Sequence, residues 1–146
     1  MKLATTFVLA AFLVSTLCHA DPEFDDTIDS FTGTKKFSFL VTKQMLAKTP
    51  SWDGKSDLPF PIGKARERAE AELKKLVENS NTYTLNSISV QYHPPSNRWL
   101  FLMQFVNIQK GQMPTPPFSV VVLFDGTVVD PKISDYNLWS PHSDGH

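Results

Sequence analysis

Apolar and polar residues alternate along three stretches of the chain, and each alternation predicts a strand. In Lys35–Thr42 the residues Phe37, Phe39 and Val41 recur at every second position. Tyr83–His93 alternates through Ile88, Val90 and Tyr92. Arg98–Ile108 places Trp99, Phe101, Met103 and Phe105 on one face and Leu100, Leu102, Gln104 and Val106 on the other. A strand that is apolar on both faces belongs in the middle of a covered sheet. A fourth stretch, Phe118–Phe124, is almost continuously β-branched and aromatic. The Asp125-Gly126 that follows predicts a type I′ hairpin into a short return strand at Thr127–Val129, stopped by Pro131.

One segment has a helical period instead. Ile62–Asn79 carries Ala65, Ala69, Leu73, Leu76 and Val77 on one side, with Pro61 suited to the first turn. Arg66–Glu70, Glu70–Lys74 and Lys74–Glu78 are spaced as i, i+4 pairs on the solvated side, where Glu72 also belongs. Thr42–Lys48 has room for one or two helical turns. Thr49–Pro61 is a connector rich in Pro, Gly, Ser and Asp, and its Trp52 is expected to plug the edge of a core. The order of strand, linker, helix and four-stranded meander predicts an α+β domain. One main helix would pack on a curved antiparallel sheet of four to five strands.

The first residues have a different character. Lys2 precedes an apolar run from Leu3 to Leu17, and Cys18-His19-Ala20 presents small residues at the positions a signal peptidase reads. The run is shorter than the roughly 20 residues that span a bilayer, so residues 1–20 read as a signal peptide cleaved after Ala20. The expected location is periplasmic or secreted, with no membrane span after cleavage. The chain lacks an Asn-X-Ser/Thr sequon, which suits a bacterial envelope. Residues 21–34 read as a flexible acidic leader without the spacing of a calcium loop. Residues 35–58 form the N-terminal strand and linker, 59–132 the α+β core, and 133–146 a tail with no periodicity beyond Leu138 and Trp139.

Charge and chemistry narrow the function by exclusion. A net charge of -1 gives no basic excess for nucleic acid. Aromatic residues at 12% supply apolar mass that a disordered chain lacks. The single cysteine, Cys18, lies in the signal segment, so the processed chain has no disulfide, thiolate nucleophile or cysteine metal site. His93 stands beside Pro94 at a strand end, where an exposed, inert histidine is expected. His142, Asp144 and His146 lie together in the tail, at a terminus too poorly preorganised for a metal site. There is no Gly-X-Ser-X-Gly elbow, Ser-X-X-Lys signature or Gly-rich phosphate loop. No catalytic residue, cofactor or metal is predicted, and the expected role is non-enzymatic. Trp52, Phe60, Tyr92, Trp99, Tyr136 and Trp139 exceed what the core needs. The expected contact surface is Trp52, Tyr92 and Trp99 with the Gln109–Pro117 turn, including Gln109 and Met113, and the expected partner is a protein or peptide. An apolar small-ligand pocket between helix and sheet is the alternative.

The Ala-rich helix (Ile62, Ala65, Ala69, Leu73), the strand ending Val90-Gln91-Tyr92, the strand Trp99–Met103 and the closing segment Val120–Val129 together resemble a PepSY-type domain. This is a small exported module of bacterial peptidase propeptides and envelope proteins. The resemblance covers Pro59–Lys132 and implies a binding or peptidase-modulating role without catalysis. The chain departs from it in the Pro-rich Gln109–Pro117 turn and the added N-terminal strand. Cystatin-like inhibitors are a related comparison, but their Gln-X-Val-X-Gly wedge is absent, and Leu138-Trp139-Ser140-Pro141 is a weak echo of their Pro-Trp loop.

Overall fold

In the computed structural model, which describes residues 26–108 and 115–136, six strands divide into two three-stranded antiparallel sheets. One sheet has the order β1-β2-β6, from Asp26–Thr32, Lys35–Val41 and Lys132–Asp135. The other has the order β3-β4-β5, from Tyr83–His93, Arg98–Asn107 and Phe118–Leu123. Between β2 and β3 lie a five-residue helix, α1 (Lys43–Ala47), and a fifteen-residue helix, α2 (Ile62–Leu76). The expectation of one main helix on a single sheet of four to five strands is therefore corrected to a sheet-rich fold.

The division follows from what closes the outer edge of β5. Thr127–Val129 does not form a return strand; it contributes an isolated Val122–Val128 bridge. Val129 N–H donates to the Val121 carbonyl (3.0 Å), and Leu123 N–H donates to the Thr127 carbonyl (2.8 Å). Further along the same edge, β1 takes over. The Ser30 hydroxyl accepts from Ser119 N–H (2.8 Å) and donates to the Ser119 carbonyl (3.3 Å). After Pro131 the chain crosses to β2 as β6.

The turn after β5 also differs from the type I′ expectation. Gly126 has φ +85, but Asp125 does not share a positive φ, and Gly126 N–H donates to the Leu123 carbonyl (2.8 Å). This is the three-residue hairpin loop, a type I turn ending in a left-handed glycine. The Asp125 side chain accepts from Thr127 N–H (2.8 Å) and holds it.

Two segments read as unstructured are strands. β1 lies in the stretch assigned to the acidic leader and β6 in the stretch assigned to the core boundary and tail. β1 pairs with β2 along its whole length, from Asp26–Val41 to Thr32–Lys35. Its Asp29 carboxylate sits 2.8 Å from Lys36 Nζ and accepts from Ser38 Oγ (2.7 Å). These contacts, Lys36 foremost, hold the Asp29 carboxyl below its ordinary pKa.

The core lies where the sheets and α2 meet. Phe37, Phe39 and Val41 are buried on β2, and Phe37 and Phe39 meet Phe118 of β5 edge-on at 5.1 and 6.3 Å. All of β5 is buried, and β4 is buried on both faces, as a central strand should be. Ala65, Ala69 and Leu73 put α2 against β5 and β4, their small side chains allowing close approach. The helix ends at Leu76, three residues before the predicted Asn79, because Val77 turns extended and is itself buried. Glu72, expected on the solvated face, is almost wholly buried, with Lys75 Nζ 3.3 Å away. Thr42 caps α1 by accepting from Met45 N–H (3.1 Å), which directs Leu46 into the core.

Candidate functional site

The connector from α1 to α2 is organised by Asp53. Its Oδ1 accepts from Lys55 N–H (2.9 Å), Ser56 N–H (2.8 Å) and Ser56 Oγ (2.8 Å). These bonds favour the carboxylate and hold its pKa down to about 2, the Ser56 N–H being the largest contributor. The turn so formed brings the Ser56 carbonyl to Trp52 Nε1, which donates to it at 2.8 Å. Trp52 is thereby fixed against the end of the β3-β4-β5 sheet.

Three of the predicted contact residues converge there. Tyr92 and Trp99 are direct cross-strand partners on β3 and β4, with ring centroids 4.9 Å apart. Trp99 meets Trp52 edge-on at 5.0 Å, and its Nε1 donates to the Trp52 carbonyl at 3.1 Å. Trp52 then meets Phe124 at 5.9 Å, and Phe124 meets Phe101 at 4.7 Å. The row runs from the surface, where Tyr92 is 46% exposed, to the fully buried Phe101. The Tyr92 hydroxyl is 2.9 Å from Asn97 Oδ1, on the tight turn where Asn97 takes the left-handed conformation at φ 52.

Gln109 and Met113 lie outside the described residues. Their described neighbours, Ile108 and Thr115, stand beyond the far end of β4 from Trp99, about 27 Å along the strand. His93 is not the exposed residue expected from its neighbour Pro94: it is 2% exposed. Its Nδ1 pairs with Ser96 Oγ at 2.8 Å, while Nε2 lies 3.2 Å from the Asp26 carboxylate without an aligned hydrogen bond. Phe60 is half-buried beneath Arg68, whose guanidinium lies 5.0 Å from the ring centroid. His142, Asp144, His146 and Trp139 are outside the described residues.

A second feature was not legible in the sequence. An open groove of about 480 Å³ lies beside the β1–β2 turn, lined by Phe31, Tyr83, Asn107, Pro116 and Tyr136 among others. A smaller one of about 330 Å³ shares Tyr83 and Asn107 and reaches Leu76 and Val77 at the end of α2. Asn107 Oδ1 is buried and has no hydrogen-bond partner among the described residues. The space sits beyond the helix C-terminus, while the interface between α2 and the sheet is filled by Ala65, Ala69 and Leu73. Only the β1 pairing brings Phe31 to this place, and no local signal marks it.

Among the described residues no three His, Cys, Asp or Glu side chains cluster closely enough to hold a metal ion, and no helix is long and apolar enough to cross a membrane. No family model, curated protein or solved structure matches the chain.

Proposed function

We propose that this is an exported, non-enzymatic module that binds a protein or peptide through the Trp52–Trp99–Tyr92 row. The observation that carries the reading is that each ring has its polar atom occupied within the fold. Trp52 Nε1 is on Ser56, Trp99 Nε1 on Trp52 and the Tyr92 hydroxyl on Asn97. A partner can cover such rings without stranding a polar group, and little side-chain freedom is left to lose. Export is supported by the Lys2–Ala20 pattern, and an exported peptidase is the partner class that the PepSY resemblance implies.

The test is a photo-crosslinking residue placed at Tyr92 in producing cells, with Glu67 on α2 as control. The adduct is identified, purified and titrated against the chain. Trp99→Ala should weaken that complex about tenfold or more, as loss of a central aromatic anchor does. Equal crosslinking from Glu67, or an unchanged affinity in Trp99→Ala, would overturn the reading.

The groove walled by Phe31, Tyr83, Pro116 and Tyr136 supports a second reading, a carrier for a small apolar ligand whose body these side chains would cover. Native mass spectrometry of protein purified without denaturation should then show a bound mass that Phe31→Asp loses; an unliganded mass in both would remove this reading.

A further inference from the structure

The four sheet edges are treated very differently. The outer edge of β5 is closed by Ser30, Val129 and Thr127, and β1 lies along it. β6 is only four residues long and carries Lys132 and Asp135. β3 has eleven residues, and among the described residues the one element it pairs with is β4. Its segment Tyr83–His93 contains no Pro, Lys, Arg, Asp or Glu. The bulge between Leu85 and Ser87 disrupts only its beginning, and Ser87–His93 then pairs in regular register with Gln104–Arg98. Protein sheets ordinarily blunt a free edge with charge, proline, bulges or brevity, because unpaired N–H and C=O groups recruit another strand. Ser87–His93 has none of these devices.

We infer that β3 is a dimer interface, at which a second copy of this chain pairs antiparallel along Ser87–His93 about a two-fold axis at Val90. The self-complementarity of the segment selects this occupant. In that register Val90 faces Val90 of the second copy, Ile88 faces Tyr92 and Ser89 faces Gln91. Every pair joins residues of like face, so the apolar stripe continuing Met103, Phe101 and Trp99 runs unbroken across the junction. Absence of charge removes the repulsion that would oppose self-pairing, and equally removes any charge by which a different partner would be selected. A two-fold pairing of this kind closes after two copies and joins two three-stranded sheets into one of six strands. The junction shares Tyr92 with the aromatic row, while Trp52 and Trp99 lie inward of it, so a Tyr92 crosslink to a second copy of this chain supports the dimer and one to a different protein supports the row.

From Asp21 onward the sequence contains no cysteine, so a chain expressed from that residue makes a direct test available. Sedimentation of the unmodified protein over a micromolar-to-millimolar dilution series should show a monomer–dimer equilibrium. Val90→Cys should give a covalent dimer under mild oxidation, and Glu67→Cys on the exposed side of α2 should not. Gln91→Lys, at an exposed position, should raise the dimer dissociation constant at least tenfold with an unchanged circular dichroism spectrum. A monomer throughout the series overturns the inference, including the case in which β3 accepts a strand from a different protein. A dimer whose Val90→Cys form crosslinks no better than Glu67→Cys overturns it too, because the interface then lies elsewhere.

Discussion

Ser30 and Ser119, separated by 89 positions in sequence, exchange two hydrogen bonds at the seam between the sheets. One hydroxyl satisfies both the N–H and the carbonyl of a buried edge residue and takes the place of a strand ladder there. Ser30→Ala removes the hydroxyl and leaves both Ser119 backbone groups buried without it. The expected loss is about 2 kcal/mol, the usual cost of stranding buried polar groups. Urea unfolding followed by circular dichroism measures it, and an unchanged slope would show that the native and unfolded states are otherwise the same. A loss below about 0.5 kcal/mol would mean that the seam does not depend on this residue.

Gly126 is constrained twice. Its φ of +85 suits glycine, and a Cβ there would lie 2.5 Å from Phe60 Cζ and 2.6 Å from Arg68 Nη1. Arg68 also donates to the Gly126 carbonyl, so turn, helix and connector meet at this residue. Gly126→Ala should cost about 3 kcal/mol, from a strained backbone and an overpacked contact together. Combining it with Phe60→Ala isolates the Phe60 contact. The double variant should recover the part due to crowding against that ring and leave the parts due to Arg68 and the backbone, and full additivity of the two losses would show that no contact with Phe60 is made.

The strands that were legible in the sequence are those whose own side chains enter the core. Phe37, Phe39 and Val41 alternate because one face of β2 is buried, and β4 is apolar on both faces because both are covered. β1 and β6 left no such trace. β1 offers only Ile28 and Phe31 as large apolar residues, and all of β6 is exposed. Both are held chiefly by backbone pairing to β2, which a residue pattern does not record. The single-sheet expectation failed for the same reason, since nothing local reveals that Ser30 reaches Ser119. Trp52 stood out as a large aromatic residue in a polar connector, and its meeting with Trp99 and Tyr92 required the fold. The burial of His93 depends on tertiary packing, and a neighbouring proline was a poor guide to it.

Trp99→Phe separates the packing of the aromatic row from its hydrogen bonding. Phenylalanine keeps a ring between Tyr92 and Trp52 but cannot donate to the Trp52 carbonyl. The expected stability loss is about 1 kcal/mol for the bond, with a further contribution from the smaller ring. Because the Trp52 carbonyl anchors the connector, the Trp52 indole N–H resonance should exchange with solvent more readily. Unaltered exchange would show that the Asp53 turn holds Trp52 unaided.

Asp53 makes that turn sensitive to acid. Its carboxyl is held down to about 2 by Ser56 N–H, Lys55 N–H and Ser56 Oγ, against an ordinary value of 3.8. A lowered native pKa means that the carboxylate supports the turn fully above 3.8, and that this support is lost as pH falls through about 2. Protonation removes the charge that strengthens all three bonds, so the Ser56 carbonyl should release Trp52 Nε1 over the same window. Proton NMR should show the Asp53 side chain titrating near 2. The Trp52 indole N–H resonance should shift with the same midpoint. In Asp53→Asn the indole should keep one shift over this range, displaced toward the acid form of the unaltered protein. A midpoint at 3.8 would show that the turn does not hold the carboxylate in solution, and an indole shift that persists in Asp53→Asn would assign the transition to another acid.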